Sequence, residues 1–166
     1  YNIEASNKPE GGVPMEPDAV LTLFDRFADA VYRVALSYLR SPQEAEDAVQ
    51  TVFLKLLEKN VEIHPNKERA FLTKMTINHC KNILSSAKTR STVPLDETVP
   101  LVQPEDQALF RAVMELPEKY RAVVCLHYFE GYSFREIAKF LGIGASAVSM
   151  RLVRARSILK QQIGRD

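Results

Sequence analysis

The stretch YSFREIAKFLGIGASAVSMRLVRARSIL, residues 132–159, decides how this chain reads. Ser133-Phe134-Arg135-Glu136 is a capping box, in which a serine hydroxyl and a glutamate three residues later satisfy each other's free backbone N–H groups. It opens a short helix with Ile137, Phe140 and Leu141 on one face. Gly142 suits a left-handed helix end, and Gly142-Ile143-Gly144 makes a tight turn carrying one apolar side chain. The following helix puts Val148, Leu152, Ala155 and Leu159 inward and Ser146, Ser149, Met150, Arg151, Arg154 and Arg156 outward. A short helix, a glycine turn and a cationic second helix form a helix-turn-helix, which lays that second helix in a DNA major groove. Arginine suits the task because its planar fork grips guanine edges or phosphates. A helical hairpin with a solvated basic face would share the periodicity, though not the coincidence of caps, turn and charge.

Upstream, the pattern stays helical. Residues 18–40 carry Val20, Phe24, Phe27, Val31, Val34 and Tyr38 in steps of three and four. Ser41-Pro42-Gln43-Glu44 is another capping box with proline at the first helical position. It starts a helix to about residue 59, with Ala45, Val49, Val52 and Leu56 inward. Residues 60–66 read as a loop, and a third helix over 67–87 turns Leu72, Met75 and Ile83 inward. After 88–104, which hold three prolines and no helical period, helices are predicted over 107–116, 118–129, 133–141 and 145–163. No segment alternates as a strand does. The expected fold is all-α: a tail (1–14), a helical bundle (15–87), a flexible linker (88–104) and a helix-turn-helix domain (105–166). The tail is polar and aperiodic, and reads as a cloning remnant or an upstream extension.

Composition agrees with a globular chain: 166 residues, 46% hydrophobic, 26% charged. No apolar run nears the roughly 20 residues of a membrane span. Cys80 and Cys125 are too few for a disulfide framework, which points to a reducing cytoplasm. The formal net charge of +1 hides two islands of +5, over residues 65–93 and 133–166, separated by −5 over 94–118. Such blocks suit two anion-binding faces, although solvated helix faces would also produce them. Phe71, Lys74, Asn78, Lys81 and Asn82 on the third helix combine an aromatic, cations and amides, a surface able to stack on single-stranded bases. On residue type alone Phe71 could equally be core, and His127 a packing histidine. Enzyme readings do poorly. His64, His79 and His127 lie on separate elements, the cysteines lack metal-site spacing, and there is no phosphate loop or nucleophile elbow. No cofactor or metal is expected.

These stretches resemble the bacterial RNA polymerase sigma factors of the two-domain extracytoplasmic-function (ECF) group, in the sigma-70 family. SPQEAEDAVQTVFLKLLEK (41–59) is similar to the family's polymerase-docking helix, and AFLTKMTINHCKNIL (70–84) to the segment that melts and reads the minus-ten promoter element. Residues 116–159, from LPEKYRAVVCLHYFEG onward, are similar to the minus-thirty-five-reading domain. The resemblance implies polymerase contacts at Ala45, Glu46, Asp47, Gln50, Phe53 and Leu54. It implies minus-ten contacts at His64, Asn66, Lys67, Phe71, Lys74, Asn78, Lys81 and Asn82, with residues 64–67 in the loop that helps capture a flipped base. Minus-thirty-five contacts fall at Ser146, Ser149, Met150, Arg151, Arg154 and Arg156, with His127 matching a backbone-phosphate position. Phe71 stands where the family usually has Trp, residues 85–87 are poor in Arg, and Ser149 replaces a frequent cation. The implied partners are core RNA polymerase (largest-subunit clamp and second-largest-subunit flap), promoter DNA and an anti-sigma factor. The implied protein is monomeric and cytoplasmic, with retention at the inner membrane face through the anti-sigma factor as an option. A stand-alone helix-turn-helix regulator with a sensing or dimerisation domain would instead be dimeric on a palindrome. A sequestering adaptor would lack transcription activity altogether.

Overall fold

The computed structural model describes residues 15–59, 61–86 and 103–164, all of whose regular structure is helical. The tail and nearly all of the expected linker lie outside the described residues. Helix α1 (Pro17–Leu39) starts with proline in its first turn and ends at Arg40, which adopts a left-handed φ of 54° and donates its N–H to the Leu36 carbonyl at 2.9 Å. The chain turns at once into α2 (Pro42–Glu58), where the Glu44 N–H donates to Ser41 Oγ at 3.3 Å. This tight corner sets α1 and α2 side by side, and α3 (Glu68–Ser86) completes the bundle.

A 3₁₀ turn (Pro104–Asp106) leads into α4 (Gln107–Met114). Next, α5 (Glu118–Val124) runs directly into a π-helical turn (Cys125–Phe129). Then follow α6 (Phe134–Leu141) and α7 (Ala145–Ile163). The second capping box forms as read: Ser133 Oγ accepts from the Glu136 N–H at 3.2 Å, and Glu136 accepts from the Ser133 N–H at 2.8 Å. Gly142 takes φ 66°, a conformation that glycine enters without a side-chain penalty. Phe110, Met114, Leu116, Leu126, Ile137 and Leu152 fill the C-terminal core.

Two helices depart from their simple stripes. The last turns of α1 are buried nearly all round, because α2 and α3 cover one side and α5 with its π turn the other. Phe24 is 41% exposed despite its place in the repeat, and meets Phe53 edge-on with ring centroids 5.0 Å apart. On α3, Leu72 is buried as expected, but Met75 and Ile83 are only half-buried. Thr73, Thr76, Ile77 and Cys80 are the deeper positions. The physical reason is that α3 packs against α1 and α2 on one side and meets the C-terminal half on another, so one inward stripe does not describe it.

Candidate nucleic-acid interface

The second helix of the helix-turn-helix, α7, is anchored by Val148, Leu152, Ala155 and Leu159, all buried. Opposite them lie exposed Ser146, Met150, Arg154 and Arg156, together with Val153, which the sequence reading did not single out. Ser149 and Arg151 are half-buried on the flanks, beside the anchoring stripe rather than at its antipode. The Arg156 guanidinium sits over the Tyr128 ring, 5.4 Å from its centroid, and its Nε donates to the Tyr128 hydroxyl at 2.6 Å. This holds a flexible side chain in one direction, which lowers the entropy lost when it meets a ligand. His127 is half-buried: its Nδ1 lies 2.8 Å from the Tyr132 carbonyl, and its ring packs 5.0 Å from Phe134. Its packing role is thereby evident, set by the end of the π turn.

On the N-terminal half, His64, Asn66 and Lys67 project from the loop before α3, and Asn78, Lys81 and Asn82 from α3 itself; all six are exposed. Asn66 takes φ 64°, a left-handed turn that asparagine tolerates. Phe71 and Lys74 are half-buried and line a cavity of about 230 Å³ with Ile63, His64, Lys67 and Phe140. Lys74 donates to the Phe140 carbonyl at 2.6 Å, near the last turn of α6. Partial burial, with Lys81 nearby, pulls the Lys74 ammonium below its ordinary pKa. Burial, with Lys55 nearby, likewise lowers the pKa of His79.

On α2 the residues implied as polymerase contacts divide between core and surface. Ala45 is fully buried and Phe53 is 5% exposed, so both belong to the core and offer no surface to a partner. The resemblance implied both as contacts; the helical period, which already turned Ala45 inward, points these two into the bundle. Glu46, Asp47, Gln50 and Leu54 are exposed, and Leu57 joins them. Beside them runs a groove of about 390 Å³ between α1 and α2, lined by Phe24, Ala28, Tyr32, Glu46, Val49 and Gln50. Leu21 and Leu54, 60% and 53% exposed, extend this apolar surface.

Residues that the sequence did not single out join the two halves. Arg121, 5% exposed, donates through Nε to the Ser37 carbonyl and through Nη1 to the Leu116 and Met114 carbonyls at 3.2 and 3.3 Å. Glu130, 4% exposed, accepts from Arg33 Nε at 2.7 Å and from Arg69 Nη2 at 3.1 Å. Thr73 and Tyr132 share a buried hydroxyl–hydroxyl bond of 2.8 Å, and Arg69 lies 4.7 Å above the Tyr132 ring. Sequence spacing carries no signal for pairs so distant along the chain. Among the described residues no cluster of His, Cys, Asp and Glu could hold a metal ion, and no helix is long and apolar enough to cross a membrane.

Two family models match the chain: sigma-70 region 2 over residues 23–90 and sigma-70 region 4 over residues 106–159. The chain is 30% identical over 148 residues to the ECF RNA polymerase sigma factor SigM of Mycobacterium tuberculosis, covering 86% of this chain and 76% of SigM. It is 29% identical over 143 residues to the RNA polymerase sigma factor SigV of Bacillus subtilis, covering 81% of this chain and 85% of SigV. Its fold is similar to that of the sigma factor RpoE of Bartonella quintana, solved with the anti-sigma factor NepR. That match has a TM-score of 0.67 at 20% identity, over 88% of this chain and 97% of RpoE. CnrH, solved with the cytosolic domain of CnrY, also gives a TM-score of 0.67, at 23% identity over 91% of each chain. With both sigma regions matched in order and an ECF sigma factor 30% identical over most of its length, the chain belongs to the ECF group of the sigma-70 family of RNA polymerase sigma factors.

Proposed function

We propose that this sigma factor docks on the clamp of core RNA polymerase through the α1–α2 groove and the outward residues Glu46, Asp47, Gln50, Leu54 and Leu57. Residues 15–87 act as one domain, reading the melted minus-ten strand with His64, Asn66, Lys67 and the α3 residues Phe71, Lys74, Asn78, Lys81 and Asn82. Residues 105–166 act as a second domain that engages the polymerase flap and reads the distal element as duplex through α7. Joining two weak readers by residues 88–104 raises the effective concentration of the second once the first is bound. The observation that carries this reading is the exposed docking face on α2, where carboxylates flank large apolar side chains beside an open groove. An anti-sigma partner, as RpoE has in NepR, fits a chain whose apolar docking face and DNA-reading faces need cover when idle. Such a chain works in the cytoplasm, free or tethered through its partner.

Run-off transcription on fragmented genomic DNA, with and without core polymerase, tests the proposal. Promoter-specific transcripts and footprints are expected only with core present. Tight sequence-specific footprints from the protein alone would refute it.

A further inference from the structure

Within the exposed surface of α7, the outermost ridge carries no charge. Ser146, Met150, Val153 and Ser157 follow one another in steps of four, three and four, and all four are exposed. They stand opposite the anchoring stripe of Val148, Leu152, Ala155 and Leu159, which repeats the same steps on the buried side. Met150 and Val153, 52% and 57% exposed, are neighbours one turn apart, so two apolar side chains sit together in water. The cations lie to either side. Arg151 and Arg154 border the ridge on one flank, and Arg156 lies across it on the other. Arg151 is half-buried beside the anchoring stripe, and Arg156 is drawn toward Tyr128 of the π turn, where its Nε is bonded at 2.6 Å.

An uncharged crest between cationic flanks matches a duplex groove, whose walls are anionic phosphates and whose floor is formed by base edges. The crest therefore meets the bases. A serine hydroxyl both donates and accepts, so Ser146 and Ser157 discriminate little between them. Met150 and Val153 form no hydrogen bond with a base edge. The apolar group that base pairs offer in the major groove is the thymine 5-methyl. Over a cytosine amino group or a guanine carbonyl the same pair would displace water without replacing its hydrogen bonds, which rejects those edges. We propose that Met150 and Val153 read thymine 5-methyl groups in the major groove, so that thymine positions, and not arginine–guanine pairs alone, set the duplex specificity of this chain. This rests on the reading of α7 as the duplex reader.

The test uses the full chain with core polymerase. Binding sites are selected from a duplex library of random sequence, and the distal element so obtained is rebuilt with deoxyuridine in place of thymine, one position at a time. Deoxyuridine keeps every hydrogen-bonding group of thymine and lacks the 5-methyl. At one or two positions it should weaken binding about fourfold each, the factor equivalent to the roughly 0.8 kcal/mol of one buried methylene-sized group. Met150→Ala and Val153→Ala change exposed residues, so helicity should be unchanged. Each should bring thymine and deoxyuridine to equal affinity at one such position. Arg156→Ala should weaken both duplexes alike and leave their ratio unchanged. A distal element without thymine, deoxyuridine without effect at every position, or a thymine preference that survives both alanine variants overturns the proposal. So does a loss of core-polymerase affinity in those variants with the thymine preference intact, which would make the ridge a protein contact. If no distal element is enriched, the duplex-reading assignment of α7 falls and this one with it; any other failure leaves that assignment standing.

Discussion

Replacing Arg121 by methionine keeps the length and apolar stem of the side chain and removes its donors. In the structure those donors serve the Ser37 and Tyr38 carbonyls near the end of α1, and the Met114 and Leu116 carbonyls at the corner between α4 and α5. Carbonyls in the last turn of a helix have no partner within it, so these bonds finish helix ends that the fold buries. Burial, and then the neighbouring Arg40, pull the Arg121 pKa below the ordinary arginine value; a guanidinium still stays charged throughout the working pH range. Each buried acceptor left dry costs about 1–3 kcal/mol. With two of the four orphaned and the others reached by water, the loss is about 3 kcal/mol. For a chain of this length that lowers the melting temperature by roughly 6–12 °C. Arg121→Lys, with a single point-charge donor group, should fall between the two. Urea and thermal unfolding followed by far-ultraviolet circular dichroism measure the loss. A decrease below about 0.5 kcal/mol, the range of ordinary surface changes, would refute the argument that Arg121 completes these helix ends.

Ser133→Ala removes one arm of the capping box that starts α6, and should cost about 0.5–2 kcal/mol in the same unfolding assay. Arg154→Ala, at an exposed position of α7, should weaken use of a distal-element-dependent promoter by about 1–3 kcal/mol if the contact is bidentate to a base, read as run-off yield against sigma concentration. Asp47→Arg alters an exposed residue of the docking face, so helicity should be unchanged while affinity for core polymerase, measured by fluorescence anisotropy, falls. Burial pushes the Cys125 thiol up to about 12 from an ordinary value of 9.0. Because folding favours the neutral thiol, that contribution is full below about pH 9 and is lost as the pH rises toward 12. The urea midpoint should therefore fall above pH 9, and Cys125→Ala should flatten part of that fall.

Local signals proved dependable where the physics is local. A cap, a left-handed glycine and a repeating apolar step act within a few residues, which is why Ser41, Ser133 and Gly142 mark real helix ends and α7 spans 145–163 as its stripe predicts. The surface or core assignment of individual α2 residues was less legible from resemblance. Glu46 and Asp47 face out, whereas Ala45 just before them and Phe53 beyond them are sealed in the bundle. The α3 stripe misled for a different reason: a helix that meets neighbours on two sides buries threonines a one-sided pattern leaves out, and Thr73 pairs with Tyr132 from the other half.

The sequence by itself determined the all-helical class, the helix-turn-helix and the two cationic islands, because these depend on spacing and short-range chemistry; the family came through the resemblance of whole stretches. Only the tertiary structure decided that Arg33 and Arg69 converge on Glu130, that Arg121 closes the carbonyls of α1 and α4, and that Phe140 lies against the cavity beside Phe71. Apart from the α4 carbonyls, which lie close to Arg121 in sequence, those groups are separated by tens of residues along the chain. A buried charge finds its partner through the packing of whole helices, and no periodicity in the sequence records that meeting.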